Sequence, residues 1–223
     1  MSNYVFLSHI LRKDSPSYGD RDRVVIRVNS SISAGETANS SCLILTNNHI
    51  GTHIDVPRHF SNSGKRTIDY PADYFVFHHV LLLDIPCDGP KLIQEKDFEN
   101  MNDIDEEMDL LLIRTGFEKK RQMNSYWNQN PGLHPDLADY LRRRFRNLRC
   151  LGFDLISITS WLYRDEGKIA HRNLLCPPNG DREILVIEDA SLKNAPKNLK
   201  QVTVSPLLVE DGNGAPVTII GEY

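Results

Sequence analysis

His49-Ile50-Gly51-Thr52-His53-Ile54-Asp55-Val56-Pro57-Arg58-His59-Phe60 constrains this chain more than any other stretch, because three of its eight histidines and a carboxylate crowd into it. His49, Gly51, His53, Asp55, Pro57 and His59 hold the odd positions, and Ile50, Thr52, Ile54 and Val56 fill the even ones with β-branched side chains. A period of two predicts a strand or strand-like loop with one face of imidazole and carboxylate and one apolar face. A helix would also bring His49 and His53 together, but it would swing Asp55 away from them, and Pro57 would break it. Imidazole and carboxylate are the donors that borderline cations such as zinc and manganese accept, and Gly51 leaves room for backbone or substrate between the two histidines. Chance histidines on an exposed strand explain the pattern less well, since four candidate groups share one face.

At 223 residues, with 40% hydrophobic and 25% charged residues, residues 1–223 suit a single α/β domain with a substantial core. A net charge of −4 gives no electrostatic reason to expect nucleic acid as a partner. The segment from Met1 to Leu7 lacks the basic start and apolar core of a signal peptide, and no run is long enough to cross a bilayer. These features predict a cytoplasmic protein with no membrane partner. Cys42, Cys87, Cys150 and Cys176 lie far apart with no Cys-x-x-Cys pair, which predicts free thiols.

Strands are expected from Tyr4 to Ile10, Val24 to Val28, Cys42 to Thr46 and Leu151 to Ser157, and buried strands over Val80 to Ile85 and Leu110 to Ile113. Lys13 to Asp20 reads as a loop, and Asp211-Gly212-Asn213-Gly214 as the turn joining strands Gln201 to Val209 and Pro216 to Ile220. His134-Pro135-Asp136 opens a helix to Phe145 that buries Leu137, Leu141 and Phe145. Its arginines, Arg142, Arg143, Arg144 and Arg146, with Arg149 beyond, read as a solvated face that complements the helix dipole. His78 and His79 would point to opposite faces of any strand and are read as structural. Asn47 and Asn48 suit either turn chemistry or the orientation of a metal-binding imidazole.

The stretch from His49 to His59 resembles the His-x-Gly-Thr-His-x-Asp-x-Pro-x-His signature of the metal-dependent cyclase/hydrolase family that includes bacterial kynurenine formamidase and isatin hydrolase, and meets every fixed position. Leu110 to Gly116 and Gly152-x-Asp154-x-x-Ser157 also resemble that family. Thr159 departs from it where members commonly carry an aspartate, which bears on what supports the ligands and not on the ligands. His171, ahead of Leu174-Leu175, resembles the second metal-ligand region, although alone it would read as a surface histidine at a helix start. Glu188 stands at the end of an apolar strand where the family places its bridging carboxylate. An apparent insertion from Cys176 to Arg182 makes Asp189 its rival, and Glu188 is favoured because Leu185 and Ile187 share the opposite parity. Tyr18 is the candidate for the aromatic side chain that the family carries over its substrate; a solvated turn tyrosine is the alternative.

The resemblance implies a mixed α/β fold, swivelling β/β/α-like, whose β-sheets form a barrel-like core flanked by helices. Five ligands exceed the three of a catalytic zinc. As the resemblance implies, His49, His53 and Asp55 would hold one ion and His171 a second, with Asp55 and Glu188 reaching both. The ions would be Zn2+, two per site, or Mn2+. His59, left without an ion, would shuttle protons while metal-bound hydroxide attacks an amide carbonyl. The substrate implied is a small-molecule amide, N-formylkynurenine for the formamidase type or a cyclic amide for the isatin hydrolase type. A catalytically silent metal-binding protein is the reading of a different class, and the missing cysteine ligands argue against a structural zinc site. Members are commonly dimers or tetramers, so a homodimer or homotetramer is expected.

Overall fold

The apolar runs at Leu110–Ile113, Leu151–Phe153 and Leu185–Ile187 become fully buried strands, as continuous hydrophobicity without alternation requires of a sheet covered on both faces. The computed structural model describes residues 2–98 and 107–223. The strands are β1 (Tyr4–Phe6), β2 (Val24–Ser30), β3 (Ser40–Leu45), β4 (His53–Asp55), β5 (Val76–Phe77), β6 (Val80–Asp84), β7 (Leu92–Ile93), β8 (Leu110–Arg114), β9 (Gly132–Leu133), β10 (Cys150–Phe153), β11 (Leu185–Glu188), β12 (Gln201–Pro206) and β13 (Gly214–Glu222). The helices are α1 (Ser125–Asn128), α2 (Leu137–Arg144) and α3 (Arg164–Leu175). No helix among the described residues is long and apolar enough to cross a membrane.

The main sheet runs β5-β12-β13-β4-β11-β10-β8-β6, with β1 added beside β13. It is parallel from β11 to β6 and antiparallel elsewhere. Its end strands β5 and β6 are separated in sequence only by His78 and His79, so the two edges meet and the sheet nearly closes into a barrel. Asp109 pins this seam by accepting the His78 and His79 backbone N–H groups at 3.2 and 3.0 Å. Closure removes edges that would otherwise template aggregation. This is the mixed α/β, barrel-like single domain expected, with few helices.

Several strands are shorter than their hydropathy. β1 stops at Phe6 and β10 at Phe153, and beyond them only isolated contacts continue, such as the Ser8–Ala190 bridge and the Asp189 N–H donated to the Leu155 carbonyl. In α2, Leu137, Leu141 and Phe145 are buried as spaced, but its arginines are not all a solvated face. Arg142 donates to the carbonyls of Asn173, Leu174 and Arg182, and Arg149 donates to those of Tyr74 and Val76. The former closes the carbonyl end of α3, which burial of a long side chain against a helix terminus makes favourable.

Candidate metal centre and active site

Strand β4 lies in the middle of the main sheet between β11 and β13, and its parity holds. His53 and Asp55 face one side, while Ile54 and Val56 are 0% exposed in the core. Antiparallel register sets Glu188 of β11 directly opposite His53, so its carboxylate projects onto the same face. His171 arrives from α3, whose buried face also includes Ala170, Leu174 and Leu175. Together with His49, His59 and Tyr18 these residues line one cavity of about 300 Å³.

The extended reading fails beyond Asp55. Pro57 has no N–H to offer a ladder, so the chain turns there into a short 3-10 segment, Pro57–His59, with the His59 N–H donating to the Val56 carbonyl at 2.9 Å. His59 is therefore folded back onto His49, the two rings stacked at 4.0 Å, instead of standing further along a strand. His49 likewise precedes the strand, in a bend.

Hydrogen bonds set the tautomers. His53 Nδ1 lies 2.8 Å from the Gly51 carbonyl, and His171 Nδ1 lies 3.1 Å from the Gly167 carbonyl and 2.9 Å from Thr159 Oγ1. With Nδ1–H donated to a carbonyl, each Nε2 is left facing carboxylates: His53 Nε2 is 3.5 Å from Asp55 and 3.3 Å from Glu188, and His171 Nε2 is 3.4 and 3.1 Å from the same pair. A lone pair aimed at carboxylate oxygens needs a cation between them. Without one the imidazoles bind protons: burial opposes charge, but the Glu188 and Asp55 carboxylates outweigh it and push His53 up to about 9 and His171 up to about 10. Burial and the neighbouring Asp55 charge oppose ionisation of Glu188, yet its bond to His171 and the His53 ring 3.3 Å away hold it down at about 2. His53 Nε2 and Asp55 Oδ2 are buried with no hydrogen-bond partner. These orphaned atoms, and the grouping of His53, Asp55 and Glu188 ligand atoms within 4.8 Å, fit a metal ion. A second group, His49, Asp55 and His59, meets the same test, so geometry alone allows His59 near an ion as well.

Glu188 and Asp189 part because Asp189 has φ of 52°, a left-handed backbone that aspartate tolerates better than most residues. Its side chain leaves the site for Arg121, which donates to it at 2.8 and 2.6 Å, and for the Tyr126 hydroxyl at 2.6 Å. Glu188 stays, accepting the Ser157 hydroxyl at 3.0 Å and the Ile158 N–H at 2.7 Å. Asp189→Ala is expected to leave metal content unchanged and to cost about 3–5 kcal/mol, because it strands a buried guanidinium. Glu188→Ala is expected to lower metal content with a smaller stability loss. Denaturant unfolding and elemental analysis of both variants check the pair, and the reverse pattern would exchange their roles.

Asparagine at a strand end suggests turn chemistry, and Asn47 takes that role while the His49 ring is supported from elsewhere. Asn47 is a turn residue: its Oδ1 accepts the His49 backbone N–H at 3.0 Å and its Nδ2 donates to Asp22 at 3.1 Å. The imidazole of His49 is instead flanked by Asp55 Oδ1, 2.6 Å from Nδ1, and by Asn213 Oδ1, 3.1 Å from Nε2. Asn213 sits in the turn between β12 and β13, and Gly214 beside it allows the approach, since a Cβ there would lie 2.5 Å from His49 Cε1. No local pattern points to this contact. Asp154 fixes the Thr115 and Gly116 N–H groups at 2.7 and 2.8 Å and is not among the residues lining the cavity. The Tyr18 hydroxyl is buried in the cavity wall without a hydrogen bond, and burial raises it to about 12 against the pull of Arg164.

His59 differs from its neighbours in charge. Burial, reinforced by His49 and His171 against the Asp55 carboxylate, pushes it down to about 4, so it is neutral at pH 7 and able to accept a proton.

Residues 5–160 match the family model described as "Putative cyclase". A kynurenine formamidase of Bacillus cereus is 30% identical over 172 residues, 77% of this chain and 75% of that protein. An uncharacterized protein of Haemophilus influenzae is 34% identical over 47% of this chain and 75% of its own length. Among solved structures, an isatin hydrolase bound to the product analogue thioisatinate superposes with a TM-score of 0.82 at 19% identity, covering 100% of this chain and 92% of that one. A "predicted metal-dependent hydrolase" from Bacillus stearothermophilus gives 0.76 at 19% identity, covering 100% and 98%. With its signature residues gathered in one buried cavity and both sequence and fold matched across most of its length, the chain belongs to the cyclase family and is a hydrolytic enzyme.

Proposed function

We propose that this enzyme hydrolyses an amide C–N bond in a metal-dependent reaction, with an N-formyl aryl amide of the N-formylkynurenine kind as substrate and formate and the free amine, kynurenine, as products. The observation that carries this reading is the pairing of a carboxylate-rich ligand set with one neutral histidine, His59, stacked beside it. His49, His53, Asp55, His171 and Glu188 would hold the metal, two zinc ions or manganese. When bound, such an ion polarises a carbonyl and lowers the pKa of water to about 7. The chain's own residues do the rest. Asp55 and Glu188 balance the cation charge, Phe60 and Tyr18 wall the cavity against solvent, and His59 takes a proton from the attacking water and delivers it to the leaving nitrogen. The bond broken is C–N, and water supplies the oxygen of the acid and a hydrogen of the amine.

Chelation is expected to stop hydrolysis, and zinc or manganese to restore it. Metal uptake at pH 7 is expected to release protons, because His53 and His171 carry them in the metal-free state and lose them to ligation; the apparent affinity then rises with pH up to about 10, less steeply above about 9. Calorimetry in buffers of different ionisation enthalpy reads the release. Full activity in metal-depleted protein would overturn the reading. Isatin hydrolase-like opening of a cyclic amide is the second reading, supported by the fold match over the entire chain; a screen of N-formyl and cyclic amides separates the two.

A cytoplasmic location is supported by the four free thiols. A homodimer or homotetramer is supported by exposed Phe6, Ile10, Leu43 and Leu207 around an apolar groove of about 760 Å³. Light scattering is expected to give a multiple of the 25.5 kDa chain mass.

A further inference from the structure

Three cations at the mouth of the cavity have no part in the reaction above. Arg21, Arg164 and Lys168 line it with the ligand residues, although they come from a loop early in the chain and from the first turns of α3. Trp161 gathers the two arginines: the guanidinium carbons of Arg21 and Arg164 lie 6.0 and 4.9 Å from its ring centroid. Tyr18 meets the same ring edge-on at 5.3 Å. Gly19 permits this convergence, having φ of 74° and no Cβ, which would otherwise stand 3.0 Å from Trp161 Cζ3 and 3.2 Å from Arg21 Nε.

Neither Arg21 nor Arg164 has an ion pair with a carboxylate among the described residues. Asp22, in the same wall, is engaged by Asn47 Nδ2 at 3.1 Å and Thr46 Oγ1 at 3.3 Å. Lys168 meets Asp165 at 3.1 Å, where both are exposed. Asp55 and Glu188 are buried among the histidines. Two guanidinium groups brought to one indole repel each other unless an anion joins them, and a guanidinium fork matches a carboxylate in shape.

We propose, building on the amide-hydrolase reading, that Arg21 and Arg164, assisted by Lys168, bind a carboxylate of the substrate remote from the scissile amide. The preferred substrates are then aryl amides that carry a carboxylate, with the ring against Tyr18 and Trp161. The arginines stand in solvent, so the preference is salt-sensitive.

The test assays metal-loaded enzyme on formanilide bearing a propanoate side chain and on the same compound as its neutral carboxamide. At low ionic strength the carboxylate is expected to show about tenfold higher kcat/KM, expressed in KM, the low end for a hydrogen bond to a charged group. That ratio is expected to shrink with added salt and to fall toward one in Arg21→Gln and in Arg164→Gln. Each ratio compares two substrates on one variant, so a general loss of folded enzyme cancels. Equal treatment by the unmodified enzyme, or an unchanged ratio in both variants, overturns the proposal. Calorimetric binding of the two corresponding anilines separates the rim from the reaction. If no amide is hydrolysed but the carboxylate aniline binds about tenfold tighter in an Arg164-dependent way, the reaction reading fails and the rim stands. Equal binding, or none of either, overturns the rim whatever the enzyme hydrolyses.

Discussion

Asp55→Ala is expected to lose metal and turnover together. Asp55 is 1% exposed, its Oδ1 lies 2.6 Å from His49 Nδ1, its Oδ2 has no hydrogen bond, and it belongs to both groups of potential ligand atoms. Removing a group that merely supports a ligand costs about 10–100-fold in metal affinity, so removing one that belongs to both groups of potential ligand atoms should exceed that range. The cost to the metal-free fold is smaller than for most buried carboxylates. His53 and His171, whose raised pKa values depend on Asp55 and Glu188 together, simply shed protons when one carboxylate goes. Elemental analysis, turnover and circular dichroism on the purified variant check this, and retention of metal at the unmodified level would remove Asp55 from the centre.

His59→Ala is expected to behave oppositely, keeping its metal and losing about 10²–10⁴ in rate, the usual worth of positioned proton transfer. The ring is neutral at pH 7 because burial holds it near 4, and its stacking on His49 keeps it beside Asp55. His59 therefore stays deprotonated at neutral pH and is lost as a base when pH falls through about 4. His59 also shares a potential ligand group with His49 and Asp55. Metal loss in His59→Ala equal to that in Asp55→Ala would therefore make it a ligand, and the mechanism would need another acid and base.

What the sequence by itself determined is what local periodicity governs. Parity put His53 and Asp55 on one face of β4 and Ile54 and Val56 on the other, because a strand alternates whatever surrounds it. Parity also ranked Glu188 above Asp189, and continuous apolar runs marked the covered central strands. The position of His59 was not determined in this way: Pro57 signalled an end to the ladder, but the direction of the turn depends on the chain packed beneath it. Tertiary structure alone decided that Asp189 turns toward Arg121 and Tyr126, that Arg142 closes α3, and that Asn213 meets His49 across 164 residues of sequence. It also brought Arg21 and Arg164 to one tryptophan. Each of these contacts joins segments far apart in sequence, and near-closure of the sheet, which sets which loops share one end of the barrel, is a property of all its strands together.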